Sequence, residues 1–354
     1  MKKRNYQAYM YLLSACCISP QDTFDSGLSS LRSLRGNRWG CVEPDYKQYI
    51  VDATLRRRMS RIVKMGVTAG LRCVDESGVH PDTIITSTGL GCLSDTEKFL
   101  KTLVCNQETL LNPTPFIQST FNTVGAQLAL IINNHNYNNT YVHRGVSFES
   151  ALLDGWMQAN EGIHHILVGC FDETTDLSFD IMQQLGFWKE EHDAVDLFRN
   201  NSGGTISGEG SAFFMFTDRI PDTVRPVKIS GIRFFQAQTT DCFFHQQVND
   251  FMKQTGINDI DLLIMGNNGD PSGDMVYDGF CTEYFPDKPY CYFKDLCGEY
   301  PTASSFALYL ANGIMQSQKI PSQVSCIGQP DKFNRILIYN HQLGCHSLIY
   351  LDTL

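Results

Sequence analysis

Hydrophobic positions along the chain follow two periods. Period two, or a short apolar run between turn residues, marks strands at residues 9–18, 83–87, 163–168 and 212–216. Spacings of three and four mark helices at 59–71, 122–132 and 147–159. In the first of these, Met59, Ile62, Val63, Gly66, Val67, Gly70 and Leu71 recur at helical spacing, and the two glycines predict a helix pressed against a sheet. In the third, Phe148, Ala151 and Leu152 form one face, with Glu149 and Asp154 opposite. A short strand is expected at 140–143. After Pro221 the rhythm restarts with a strand at 227–232, a helix at 244–253 and a strand at 261–265. A Gly-Asn-Asn-Gly-Asp-Pro turn follows, then a helix at 304–315 and a hairpin-like pair at 335–339 and 347–350. Strands alternating with helices from end to end predict an α/β protein, and the restart suggests two related halves, 1–221 and 222–354.

Composition narrows the function. A chain of 354 residues can bury a large core. Its net charge of −10 argues against nucleic acid as the main partner. Arg56, Arg57 and Arg58 read as a solvated helix face. No run of 18 apolar residues is present, so no membrane span is expected. The thirteen cysteines are odd in number and include no CxxC, so they read as small buried hydrophobes and point to a reducing cytoplasm. Lys2-Lys3-Arg4 ahead of Leu13-Ser14-Ala15-Cys16 imitates a lipoprotein signal, but Asn5, Gln7 and three tyrosines interrupt its apolar core. A buried first strand is the better reading. Gly203-Gly204 and Gly208-Glu209-Gly210 precede a strand and carry no lysine, so no nucleotide loop, and no other cofactor, is expected.

Four segments carry a resemblance when read in order. They are Cys17-Ile18-Ser19-Pro20, Arg57-Arg58-Met59-Ser60-Arg61, Asn112-Pro113-Thr114-Pro115-Phe116 with Asn122-Thr123-Val124-Gly125-Ala126-Gln127, and Ser207-Gly208-Glu209-Gly210-Ser211. Each is short, but together they resemble the β-ketoacyl synthases across nearly the whole chain. The resemblance implies a five-layered αβαβα thiolase-like fold of two similar halves, usually assembled as a dimer.

It also implies a cysteine nucleophile and two histidines, and none of the three is in place. The strand-to-helix turn that should hold the cysteine reads Thr140-Tyr141-Val142-His143-Arg144-Gly145-Val146-Ser147. His143 or Arg144 occupies the nucleophile position, and a guanidinium stays protonated and does not attack thioesters. Where the family writes His-Gly-Thr, this chain has Gly266 and Asn267. Where it writes Lys-x-x-x-Gly-His, Lys294 is kept and Glu299 replaces the histidine. Arg144 and Glu299 are expected to pair across the former site. Cys170, at a strand end, reads as buried filler, and His164 and His165 alternate along a strand and cannot share a metal. Asp172 and Glu173 read as turn structure.

Three functional readings follow from the resemblance. The first is a non-catalytic subunit resembling the chain-length factors of aryl-polyene and related pigment pathways. It would pair with an active ketosynthase, or with itself, and meet an acyl carrier protein. The second is an enzyme of altered chemistry on carrier-bound thioesters, such as an acyltransferase or malonyl decarboxylase. The third is a module that binds an acyl chain or a carrier protein.

Overall fold

The computed structural model describes residues 9–192, 197–198, 201–238 and 242–353. The Lys2-Lys3-Arg4 signal reading lies outside them. The first half runs β1 (Met10–Ile18), α1 (Thr23–Ser26), α2 (Ala53–Arg58), α3 (Arg61–Ser77), β2 (Thr83–Ser87) and α4 (Leu93–Cys105). It continues with α5 (Pro113–Gln118), α6 (Thr123–Ile131), β3 (Asn138–Tyr141), α7 (Ser147–Asn160), β4 (His165–Asp172), α8 (Asp176–Gln184) and β5 (Gly210–Thr217). Then come β6 (Val227–Gln236), α9 (Cys242–Thr255), β7 (Leu262–Met265), α10 (Pro271–Tyr284), β8 (Tyr290–Tyr292) and α11 (Lys294–Cys297). The chain closes with α12 (Ser304–Ser317), β9 (Cys326–Ile327), β10 (Arg335–Gln342) and β11 (Cys345–Thr353).

The strands join in the order β3-β2-β4-β5-β1-β6-β11-β10-β7-β8-β9. Outward from the antiparallel β1–β6 seam, both sides show the same series: two antiparallel pairings, then two parallel ones. On one side these are β1–β5–β4–β2–β3, on the other β6–β11–β10–β7–β8, with β9 as an extra edge. The sheet is therefore a near-palindrome.

Side-chain alternation sorts the strands into layers. Ile166, Val168, Phe214, Ile264, Ile336 and Ile338 face a central cluster shared by both sides of the seam, which also takes in α7 and α12. Their neighbours Leu167, Phe213 and Met215 face α3 and α6. Leu263, Leu337 and Leu348 face α9 and α10. Helix, sheet, helix, sheet, helix is the resulting order, a thiolase-like α/β fold.

Helix α3 presses against the sheet as expected, over β1 and β5, and its glycines admit α6 as well: a Cβ on Gly66 would lie 2.6 Å from Val124, and one on Gly70 2.6 Å from Leu128, both on α6. Three sequence expectations need correction. Helix α7 is not amphipathic, because it lies in the middle layer; Glu149 is 0% exposed and Asp154 is also buried. Strand β3 is set two residues earlier than expected. The stretch after β7 is not all loop, because Asp270 caps α10 and Pro271 opens it.

Two motif segments meet through an ion pair. Arg61 donates to both carboxylate oxygens of Glu209, at 2.8 Å on one side, and the Cys41 and Thr174 amides add further bonds. Burial alone would raise the Glu209 pKa, but the guanidinium overcomes it and holds the carboxyl below its ordinary 4.5. The pair therefore contributes its full stability above the unfolded carboxylate's pKa and loses it as pH falls through the lower folded value. Arg61→Gln should cost about 2–4 kcal/mol at neutral pH, since it strands a buried carboxylate. Urea midpoints across the acid range check this: the gap between variant and wild type should narrow on acidification, and a constant gap would refute the assignment.

Candidate functional site

The three positions implied by the resemblance come together at the ends of β3, β7 and α11. At the first, the chain leaves β3 at Tyr141 and turns sharply into α7. Arg144 sits at the corner with φ 48°, in the left-handed region. Ser147 braces the corner, its hydroxyl accepting from the His143 amide at 2.7 Å and donating to the Arg144 carbonyl at 2.8 Å. His143 and Arg144 are both exposed. The His143 Nδ1 lies 3.4 Å from the Ser150 hydroxyl. Arg144 makes no ion pair among the described residues.

At the second position a side chain would have to displace its neighbours. A Cβ on Gly266 would lie 2.2 Å from the Asn340 Oδ1 and 2.8 Å from the Tyr277 hydroxyl, both buried. Asn267 is buried with its Oδ1 unbonded. Beside it, the Asn268 and Gly269 amides each donate at 2.9 Å to Asp274. Burial nonetheless pushes the Asp274 carboxyl up to about 6 against those two donors.

The third position holds the strongest interaction. Lys294 is 0% exposed, and its Nζ lies 2.8 Å from the Glu299 Oε2. The same oxygen accepts from the Asn268 Nδ2 at 2.8 Å, and the Oε1 accepts from the Gln342 Nε2 at 2.9 Å. Glu299 therefore pairs with Lys294, and the expected Arg144–Glu299 bridge is not made. The separator is Gln342, whose Oε1 would lie 2.2 Å from a Cβ on Gly145, the residue after Arg144. One amide fills the space between the turn and the carboxylate.

Sequence reasoning missed Gln342, Asn340 and Tyr277. It also missed His341, an imidazole that responds to the Lys294 charge. Burial first, then His346 and Lys294, push His341 down to about 4. Its Nε2 accepts from the Gly344 amide, so the proton of the neutral ring sits on Nδ1. The tight turn at 342–345 is legible in the sequence, but which of its side chains reaches the β3–α7 corner is set by the β10–β11 register.

The remaining candidates are structural. Cys170 is fully buried and its thiol is pushed up to about 12. His164 meets Asp218 and His165 meets Asp82, on opposite sides of the strand. Asp172 clamps a turn, accepting from Thr88, Gly89 and Thr302. Arg57 and Arg58 are exposed, as a solvated helix face requires. Among the described residues no group of three or more His, Cys, Asp or Glu could hold a metal, and no helix is long and apolar enough to cross a membrane. The Cys345 thiol responds to both Arg144 and Glu149, but burial and Glu149 raise its pKa against the guanidinium.

Residues 37–194 match the family model described as "Beta-ketoacyl synthase, N-terminal domain". That segment of the chain is similar to the ketosynthases, and the whole has a thiolase-like architecture. Its likeness extends to proteins of the ketosynthase/chain length factor class. The solved structure of the ishigamide ketosynthase/chain length factor matches with a TM-score of 0.81 at 13% identity, over 98% of this chain and 100% of that one. A β-ketoacyl synthase from Burkholderia phymatum STM815 matches at 0.81 and 11% identity, over 98% and 100%. A ketosynthase in complex with its chain length factor from Xenorhabdus doucetiae matches at 0.77 and 14% identity, over the full length of both chains. At these identities the likeness establishes the fold. None of the curated proteins compared with the chain matches it.

Two substitutions test the closed site. Gly266→His should lower stability by at least about 1–3 kcal/mol, because the new Cβ overpacks against Asn340 and Tyr277; an unchanged melting temperature would show that room exists. Lys294→Met should cost about 3–5 kcal/mol by stranding Glu299, and Lys294→Met with Glu299→Gln should recover most of the loss. If the double variant is as unstable as the single one, the pair is not what holds the site.

Proposed function

We propose that the protein is a non-catalytic ketosynthase-like subunit, of the chain-length-factor type, that works beside an active β-ketoacyl synthase on carrier-bound acyl chains. The reading rests on the three positions implied by the resemblance, where His143 or Arg144, Gly266 with Asn267, and Glu299 stand in place of a cysteine and two histidines. Thioester capture needs a free thiol or hydroxyl beside a base; at the corner the exposed side chains are the His143 imidazole and the Arg144 guanidinium, and the Ser147 and Ser150 hydroxyls donate to the Arg144 and Val146 carbonyls. Decarboxylation of a malonyl group needs donors aimed at the developing charge. Here the Lys294 ammonium and the Asn268 and Gln342 amides each direct a bond to Glu299.

A surface suited to a like-folded partner supports the reading. β3 ends the sheet and leaves one edge unpaired. Phe121, Tyr137 and Val142, which lie at or beside it, are more than 40% exposed. An open strand edge flanked by exposed apolar side chains invites a second strand edge, and a protein of the same architecture presents the same one. The partner is therefore read as an active ketosynthase, the complex meeting an acyl carrier protein. The division into halves 1–221 and 222–354 belongs to the same proposal, its boundary falling between β5 and β6.

The test combines co-expression with an assay. Purified alone, the protein should leave acyl- and malonyl-carrier protein unchanged and carry no covalent acyl group by mass spectrometry. Co-expressed with a ketosynthase that retains its cysteine and histidines, it should copurify as a heterodimer, and Phe121→Asp with Val142→Asp should abolish that. Turnover by the isolated protein, or an acyl adduct on it, would overturn the proposal.

A further inference from the structure

The near-palindrome of the sheet is broken at its two ends. On one side β3 is the last strand, paired only with β2 among the described residues. Its counterpart on the other side is β8, which pairs with β7 in the same parallel sense. There the series does not stop: β9 is added antiparallel, with Tyr290 opposite Ile327 and Cys291 opposite Cys326. The Tyr292 amide also donates to the Ser325 carbonyl at 3.0 Å.

The strand that receives this extra cover is the one that needs it. β3 reads Asn-Asn-Thr-Tyr, whereas β8 reads Tyr-Cys-Tyr and runs on into Phe293. Aromatic residues favour strand pairing and asparagine disfavours it, and an uncovered edge is a template for pairing with another chain. With β9 in place Cys291 is 0% exposed. The covering segment is pinned at both ends by Val324 and Phe333, each 6% exposed and packed in the central cluster. It offers little edge of its own. β9 is two residues long, Gly328 breaks the extended path with φ 82°, and Pro330 has no amide hydrogen.

We propose that the segment 324–333 is an edge guard: it closes the β8 side of the sheet and leaves β3 as the one edge through which a copy or a like-folded partner adds. A chain with two open edges takes on molecules at both and grows, whereas a chain with one stops at a pair. The guard role rests on β8 and β9, and the limit of two rests on the reading of the β3 edge in the proposed function. Light scattering of the full-length protein over a wide concentration range tests it. Ile327→Pro, and separately Gly-Ser-Gly-Ser in place of residues 325–328, should at least double the mass of the wild type at equal concentration. Adding Phe121→Asp with Val142→Asp to either should stop that growth at two chains, because only β8 edges are then free to meet. If either guard variant melts cooperatively and keeps the wild-type mass at every concentration, the inference fails. Growth past two chains with the β3 edge charged would overturn it as well, since the contacts would then lie elsewhere. Absence of a ketosynthase complex for the wild type would count against the β3-edge reading alone, because the contrast between guard variant and wild type needs no partner.

Discussion

The Glu299 carboxylate is the point on which the closed site depends. It is only 8% exposed, a costly place for a charge, and three donors from three segments offset that cost. Lys294 comes from α11, Asn268 from the turn after β7, and Gln342 from the end of β10. Since each donor also fixes the segment that carries it, one carboxylate sets the relative positions of all three. A neutral imidazole at residue 299 would remove the anion that lies 2.8 Å from the Lys294 ammonium. Lys294, Asn268 and Gln342 therefore form one electrostatic arrangement with a glutamate at its centre.

A second carboxylate holds the frame around it. Asp172 ends β4 and accepts from the turn after β2 through Thr88 and Gly89, at 2.9 Å each. It accepts as well from the Thr302 amide and hydroxyl, at 3.1 and 2.7 Å, just ahead of α12. Burial raises its pKa while these donors oppose the rise. The clamp ties the first side of the seam to the second at the level of the site, with no catalytic group involved. The architecture at this level therefore rests on packing and buried polar bonds.

How far the sequence could be read depends on where each residue's partner lies. Strands β1 to β7, β10 and β11 were legible because their alternation is local, whereas the short β8 and β9 were not. Helix α7 was misread because periodicity takes Glu149 for a surface residue. Its actual partner is Ser347 on β11, at 2.8 Å and 198 residues away. The Arg144–Glu299 pairing failed for the same reason: both residues were found, but Gln342, another 43 residues along, decides what Glu299 meets. Helix α10 was hidden by a Gly, Asn, Asp and Pro-rich opening that reads as loop until Asp270 is seen to cap it. Local rules recover elements, whereas the partners of buried polar groups are a property of the assembled sheet.

The corner at Arg144 carries strain of its own. A non-glycine residue in the left-handed region is strained by about 1–2 kcal/mol. The turn persists because it also delivers α7 to the middle layer, where Phe148, Ala151 and Leu152 are fully buried. Burying those side chains is worth several kcal/mol at ~25 cal/mol per Å2, which exceeds the strain. Arginine suits the corner because its long side chain carries the charge out to water and needs no buried partner. Strain at this turn is therefore accounted for by packing, and a sharp corner alone is no evidence of catalysis. What the site can do is set by the residues at 143, 144, 266, 267 and 299 and by the groups that meet them.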